Sequence, residues 1–172
     1  FADASINQII KKARIPRGSF YQYFLDKDDL LAYLLEEVRG HVQAEYRQVL
    51  KENGGDIFQA QLDCFDRLAS GNPLCDPVME RCVKFMRLNQ GMDIQKLLPT
   101  RPGQRLLDGL WDLMDLSRLR SRNPEYVRIV CSLLMAALGS AFMDALLRPE
   151  ERRSCREELA TKLEIVKTGC FL

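Results

Sequence analysis

The sequence predicts an all-α protein, and three observations carry that expectation. All seven prolines fall between apolar stretches of helical period or at their first turns, where a missing N–H leaves no bond unmade. No segment alternates apolar and polar residues with β-branched enrichment, so no strand is expected. Of the 172 residues 47% are hydrophobic, enough for a sizeable helical core.

The first helix is expected over residues 5–12, with Ser5 as N-cap and Ile6, Ile9 and Ile10 as its apolar face. A second starts at Pro16 and reaches residue 23. A long third spans residues 27–51: Asp28 and Asp29 suit its N-terminal dipole, and Leu31, Leu34, Leu35, Val38, Val42 and Val49 form a stripe. The run ENGGD ends it. Residues 57–69 place Phe58, Leu62, Phe65 and Ala69 on one face, and Asp76-Pro77 caps a further helix carrying Val78, Met79, Cys82, Val83 and Met86. Residues 91–103 form the longest irregular stretch. Leu106, Leu107, Leu110, Trp111, Leu113 and Met114 then give a broad apolar face to a helix ending near residue 118. Asn123-Pro124 starts a helix to residue 147 that is apolar nearly all round, so it must be covered on every side. The last helix, residues 149–170, has Leu159, Leu163, Val166 and Cys170 on one stripe.

Charge and cysteine content narrow the class of function. The net charge is only +1, but Lys11, Lys12, Arg14, Arg17 and Lys27 stand against Asp3 and Asp26 in the first 27 residues, leaving +3 there and −2 beyond. A local basic excess is the electrostatic footprint of a phosphate partner. The six cysteines are scattered without a CxxC, as free thiols in a reducing cytoplasm would be; Cys75 and Cys82 read as small buried thiols. The most apolar run, IVCSLLMAALGSAFMDALL, is interrupted by Asp144 and reads as a buried helix, so no membrane partner is expected. The chain begins at Phe1 and is expected to be part of a longer one. His41 has only Glu37 and Glu45 at helical spacing, so no metal site is expected. Without a nucleophile elbow, a glycine-rich phosphate loop or a His-carboxylate cluster, neither an enzyme nor a cofactor is expected.

Two short helices joined by ARIP and followed by a long third outline a helix-turn-helix, whose second helix enters the major groove. Arg17 at its front suits a guanine or a phosphate, Gly18 lets backbone approach closely, and Ser19 and Gln22 supply hydrogen-bonding groups. Tyr21 offers a ring for thymine methyls and a hydroxyl for phosphate. Phe20 and Phe24, spaced i and i+4, face inward.

The stretch SINQIIKKARIPRGSFYQYFLDKDDLL resembles the DNA-binding signature of the TetR family of transcriptional regulators. The resemblance rests on Ser5, Ile9, Ala13, Ile15, Arg17, Gly18, Ser19, Phe20, Tyr21, Tyr23, Phe24, Lys27, Asp28, Asp29, Leu30 and Leu31 in one register. It implies that Arg17, Ser19, Tyr21, Gln22 and Tyr23 contact double-stranded DNA, that Ser5 binds phosphate, and that Lys27 grips phosphate at the start of the long helix. Gln22 stands where many members have histidine, and Pro16 where serine or threonine is frequent. Arg14 occupies a turn position often filled by glycine; a left-handed backbone disfavours arginine, so a slightly different turn is expected. The family's first helix would lie before Phe1. The expected domains are therefore residues 1–45, a helix-turn-helix head incomplete at its N-terminus, and residues 46–172, a helical effector-binding and dimerisation domain.

In TetR-like proteins the central helices enclose an effector pocket, which implies that Phe65, Met79, Phe85, Met86, Trp111, Met114 and Phe142 line one for a small, largely apolar effector; the same residues also suit a plain core. The last two helices of such proteins commonly pair across a two-fold axis. That implies a homodimer through Leu138, Gly139, Phe142, Leu159, Leu163 and Val166, where the run AALGSA permits close approach. The expected function is a cytoplasmic, ligand-responsive repressor. Its rivals are a helical small-molecule binding protein without DNA function and an activator of the same fold.

Overall fold

Short polar side chains at helix ends set the boundaries of the fold. The computed structural model describes residues 4–69 and 109–171, with Arg81, Lys84, Phe85, Leu88 and Asn89 between them. Its elements are α1 (Ile6–Ala13), α2 (Arg17–Tyr23), α3 (Lys27–Glu52), α4 (Gln59–Ala69), a 3-10 turn at Trp111–Leu113, α5 (Pro124–Leu147), a 3-10 turn at Pro149–Glu151 and α6 (Arg152–Cys170). The protein is all-α. Among the described residues the one β-type pairing is an isolated bridge between Leu119 and Phe171.

Each start has a local cause. Ser5 and Gln8 form a capping box on α1, Asp26 accepts from the N–H groups of Asp28 and Asp29 on α3, and Asn123 accepts from Glu125 N on α5. Asp56 does the same for α4, accepting from Phe58 N and Gln59 N at 2.9 Å. Between α3 and α4, Gly54 and Gly55 have φ of +70° and +88°. A Cβ on Gly55 would lie 2.4 Å from Leu113 O, so only glycine fits the left-handed turn against that strand of backbone.

The expected helix ending near residue 118 is corrected over its described part. Gly109 has φ +73°, a single 3-10 turn follows, Met114 is extended, and a turn closes with Leu119 N on Leu116 O at 3.2 Å. The segment satisfies its backbone elsewhere: Asp115 N donates to Gly55 O at 2.9 Å, and Asp115 accepts from Ser117 N. Its apolar spacing reflects burial of Leu110, Met114 and Leu119 on the core. Of the helix expected after Pro77, the described residues Arg81, Lys84, Phe85 and Leu88 are helical, while Val78, Met79, Cys82, Val83 and Met86, with Cys75, Leu106, Leu107 and the irregular stretch 91–103, lie outside the described residues.

The core joins the end of α3 to α4, α5 and α6. Tyr46, Val49 and Leu50 meet Phe65, Leu134 and Leu159 in one buried cluster. Arg67 on α4 holds Glu45 and Glu52 on α3, and Arg156 on α6 donates to both oxygens of Asp66 on α4 at 2.7 and 2.8 Å. These pairs are two-fifths exposed and set orientation more than stability. The helix α5 has two faces. Val127, Val130, Leu134, Leu138 and Ala141 are buried, while Ile129 and Leu133 on the opposite side are about half exposed, at 48% and 51%. By length and composition alone α5 could cross a membrane; here its inward face is the centre of the helical core. Cys64, Cys131, Cys155 and Cys170 are free thiols.

Candidate nucleic-acid interface

The head is built from α1, a three-residue turn and α2, followed by the first turns of α3. Phe20 is the buried anchor, 2% exposed, with Tyr21 edge-on at 5.4 Å and Phe24 tilted against it at 5.6 Å; Phe24 continues to Tyr33 on α3 at 5.7 Å. This aromatic chain fixes which side of α2 looks outward. The sequence expectation that Phe20 and Phe24 face inward agrees with that packing.

The residues expected to contact DNA divide into two groups. Arg17, Gly18, Tyr21, Gln22 and Tyr23 are exposed on α2, and Ser19 is half-buried beside Phe20. The Arg17 guanidinium lies 5.6 Å over the Tyr21 ring and Nη2 reaches Tyr21 Oη at 3.5 Å, so the two side chains stand together. A Cβ on Gly18 would meet nothing within 4 Å, so the protein itself does not require glycine there. The second group is already engaged. Ser5 Oγ accepts from Gln8 N at 3.2 Å and donates to Gln8 Oε1. Lys27 is half-buried, and its Nζ donates to Ala4 O at 3.4 Å, tying the start of α3 to the start of α1.

The turn takes the left-handed conformation that was expected to be avoided. Arg14 has φ +56° and ψ +39°, with its N–H bonded to the carbonyls of Ile10 and Lys11 and Ile15 N bonded to Ile10 O at 3.1 Å. Three hydrogen bonds from two N–H groups, closing the end of α1, outweigh the steric cost at one residue.

Four of the head's cations are concentrated in one short stretch, residues 11–17. Among the described residues, Lys11, Lys12, Arg14 and Arg17 hold no carboxylate. Farther along the chain Arg39, Arg67, Arg128, Arg148, Arg153, Arg156 and Lys162 each do, while among the described residues Arg47, Lys51, Arg120 and Arg152 hold none either. Hydrogen bonding to Arg128 holds Glu125 below the usual carboxylate range, and for Glu52 a bond from Gln48 does so ahead of Arg67. Exposed cations left without counter-charges beside an outward aromatic surface can take up phosphates at little desolvation cost.

The expected pocket and dimer residues are placed as follows. Phe65 and Met114 are buried in the common core, Trp111 packs against it, and Phe85 and Phe142 are half-buried; Met79 and Met86 lie outside the described residues. Leu138, Leu159 and Leu163 are buried inside the protomer at 4%, 0% and 4% exposure, Val166 and Phe142 are half-buried, and Gly139 is exposed. Sequence reasoning missed Gln61, which is fully buried on α4, although its spacing of four from both Ile57 and Phe65 marks the inward face. His41 lies on an open cleft of about 450 Å³ along α3 with Tyr33, Glu37 and Gly40.

Residues 1–34 match the model of a family described as bacterial regulatory proteins, tetR family. An uncharacterized HTH-type transcriptional regulator of Bacillus subtilis (strain 168), YdgC, is 37% identical over 54 residues, which are 31% of this chain and 28% of that protein. The chain thus matches little more than a quarter of this relative's length. No solved structure matches.

Proposed function

From a head that is that of the tetR family of bacterial regulatory proteins, we propose a cytoplasmic, homodimeric repressor that leaves a palindromic operator when a small, largely apolar effector binds. The observation that carries the reading is the outward side of α2. There Arg17, Tyr21 and Gln22 are exposed on a helix anchored by buried Phe20, beside cations that hold no carboxylate among the described residues. Arg17 and Gln22 reach base edges, Tyr21 reaches a thymine methyl or a phosphate, and Gly18 leaves room for the sugar-phosphate backbone. Ser5 and Lys27 act on phosphate through the geometry they brace, since each already holds a partner within the head.

Dimerisation through α5 and α6 is supported by the apolar side that the protomer leaves uncovered. Ile129, Leu133 and Ala136 lie on one face of α5, with Ile165 of α6 69% exposed. Because Leu138, Leu159 and Leu163 are used inside the protomer, the partner helix would meet Gly139, Val166 and this outward stripe instead. Two heads related by a two-fold axis read half-sites about 34–36 Å apart. The helix α3, 26 residues and so about 39 Å long, runs from the head into the core. An effector held near Phe65, Trp111 and Phe142 would act through it, favouring the head spacing that misfits successive grooves.

Selection of bound duplexes from a random library tests the reading. A two-fold symmetric motif is expected, and enrichment of no duplex would overturn it.

A further inference from the structure

We propose that Arg14, in the turn between α1 and α2, is a phosphate contact that pins the head beside the groove, in addition to the DNA-contacting residues already named. The inference rests on reading α1 and α2 as a DNA-binding head. Among the described residues Arg14 is the one non-glycine with positive φ. Its Cβ is crowded against the backbone in a conformation that glycine would adopt without strain. Among the described residues nothing offsets that strain through the side chain: the guanidinium is exposed and holds no carboxylate, hydrogen bond or aromatic ring. In this it differs from Arg17, which leans on Tyr21.

The surroundings say what would engage it. Lys11 and Lys12 fill the last turn of α1, Arg17 opens α2, and none of the three is neutralised by an ion pair among the described residues. Four positive side chains lie within seven residues of sequence, around a backbone closed by hydrogen bonds, a local excess that favours an anion from outside. A guanidinium presents paired N–H donors that match two phosphate oxygens, and the hydrogen bonds that fix the Arg14 backbone leave this side chain unengaged among the described residues. The turn directly precedes the end of α2 that meets the duplex, where contacts fall on the phosphates flanking the groove rather than on bases. Arg14 therefore positions the head and reads no sequence.

Arg14→Gly removes the charge and relieves the backbone at once, which separates this role from a structural one. Wild type, Arg14→Gly and Arg14→Lys are titrated by fluorescence anisotropy on a library-selected duplex and on a scrambled duplex over a range of salt. Arg14→Gly is expected to melt no lower than wild type, yet to bind both duplexes about tenfold more weakly at low salt. Its log-log salt slope should be shallower by about one unit per protomer, and Arg14→Lys should keep most of the slope. Wild-type affinity and slope for Arg14→Gly overturn the inference alone, as does a loss confined to the selected duplex. If wild type itself shows no salt-dependent duplex binding, the reading of the head falls and takes this inference with it. Should Arg14→Gly melt lower, Arg14→Asn, which also tolerates the left-handed backbone, is put through the same titration and is held to the same outcomes.

Discussion

Replacing Tyr46 by phenylalanine perturbs the polar tie between α3 and α4 at a single atom. Tyr46 is 2% exposed, and its Oη accepts from Gln61 Nε2 at 2.6 Å; the same nitrogen donates to Ile57 O at 3.0 Å. Gln61 Oε1 has no hydrogen-bond partner among the described residues, so the pair already carries one unmet acceptor. Burial raises the Tyr46 phenol well above its ordinary range, so the hydroxyl is neutral. Tyr46→Phe deletes a buried hydrogen bond and strands one amide hydrogen, which costs about 1–3 kcal/mol. Gln61→Leu strands the hydroxyl and takes the side-chain donor from Ile57 O, while removing the orphaned carbonyl. The double variant leaves neither the hydroxyl nor the amide stranded and only Ile57 O without its side-chain donor, so it should be less destabilised than the sum of the two single variants. Urea unfolding followed by circular dichroism measures all four proteins. A double variant in which the two single effects simply add would refute this accounting.

Two further outcomes follow from burial. The Cys64 and Cys131 thiols are pushed up by desolvation to about 12 and about 11, with Arg67 partly opposing the rise at Cys64. The folded state therefore keeps protons that the unfolded chain releases near the ordinary thiol value of about 8.5. Stability from these groups is complete below that value and is lost as pH rises through about 11 and 12, so the urea midpoint should fall more between pH 8 and pH 10.5 in wild type than in Cys64→Ala/Cys131→Ala. On the outward side of α5, Leu133→Glu with Gly139→Arg should yield a folded monomer in sedimentation, because both positions are open within the protomer. Burying these charges across a contact would cost upwards of about 3 kcal/mol, over a hundredfold in dimerisation; an unchanged dimer would place the interface elsewhere.

Sequence and structure agree where the cause is local. Ser5 with Gln8, Asn123 with Pro124, and the Gly54-Gly55 pair mark helix ends through groups within a few residues, and all three boundaries hold. They part where the partner is distant. Nothing in the spacing of Leu110, Leu113 and Met114 reveals that Asp115 N bonds to Gly55 O, sixty residues away, which lets that segment leave the helix. Lys27 looked like a free cation because its acceptor, Ala4 O, is backbone and has no side-chain signature. Periodicity also marked Leu159 and Leu163 as buried without saying against what; they pack within the protomer. In the head the aromatic spacing sufficed, since Phe20 and Phe24 lie one turn apart and fix the outward side by themselves.

The most direct test of the account is the affinity of Arg17→Ala for a duplex selected by the wild-type protein. Arg17 is exposed at the front of α2 and braced by Tyr21 alone among the described residues, so the substitution removes no core contact. Loss of a good base contact costs about 1–3 kcal/mol per half-site, and a two-fold dimer loses it twice. The account predicts unchanged helicity and melting temperature with specific affinity reduced at least about thirtyfold, while weak salt-dependent binding to unrelated duplexes persists. Wild-type affinity of Arg17→Ala for the selected duplex would contradict the docking of α2 in the groove.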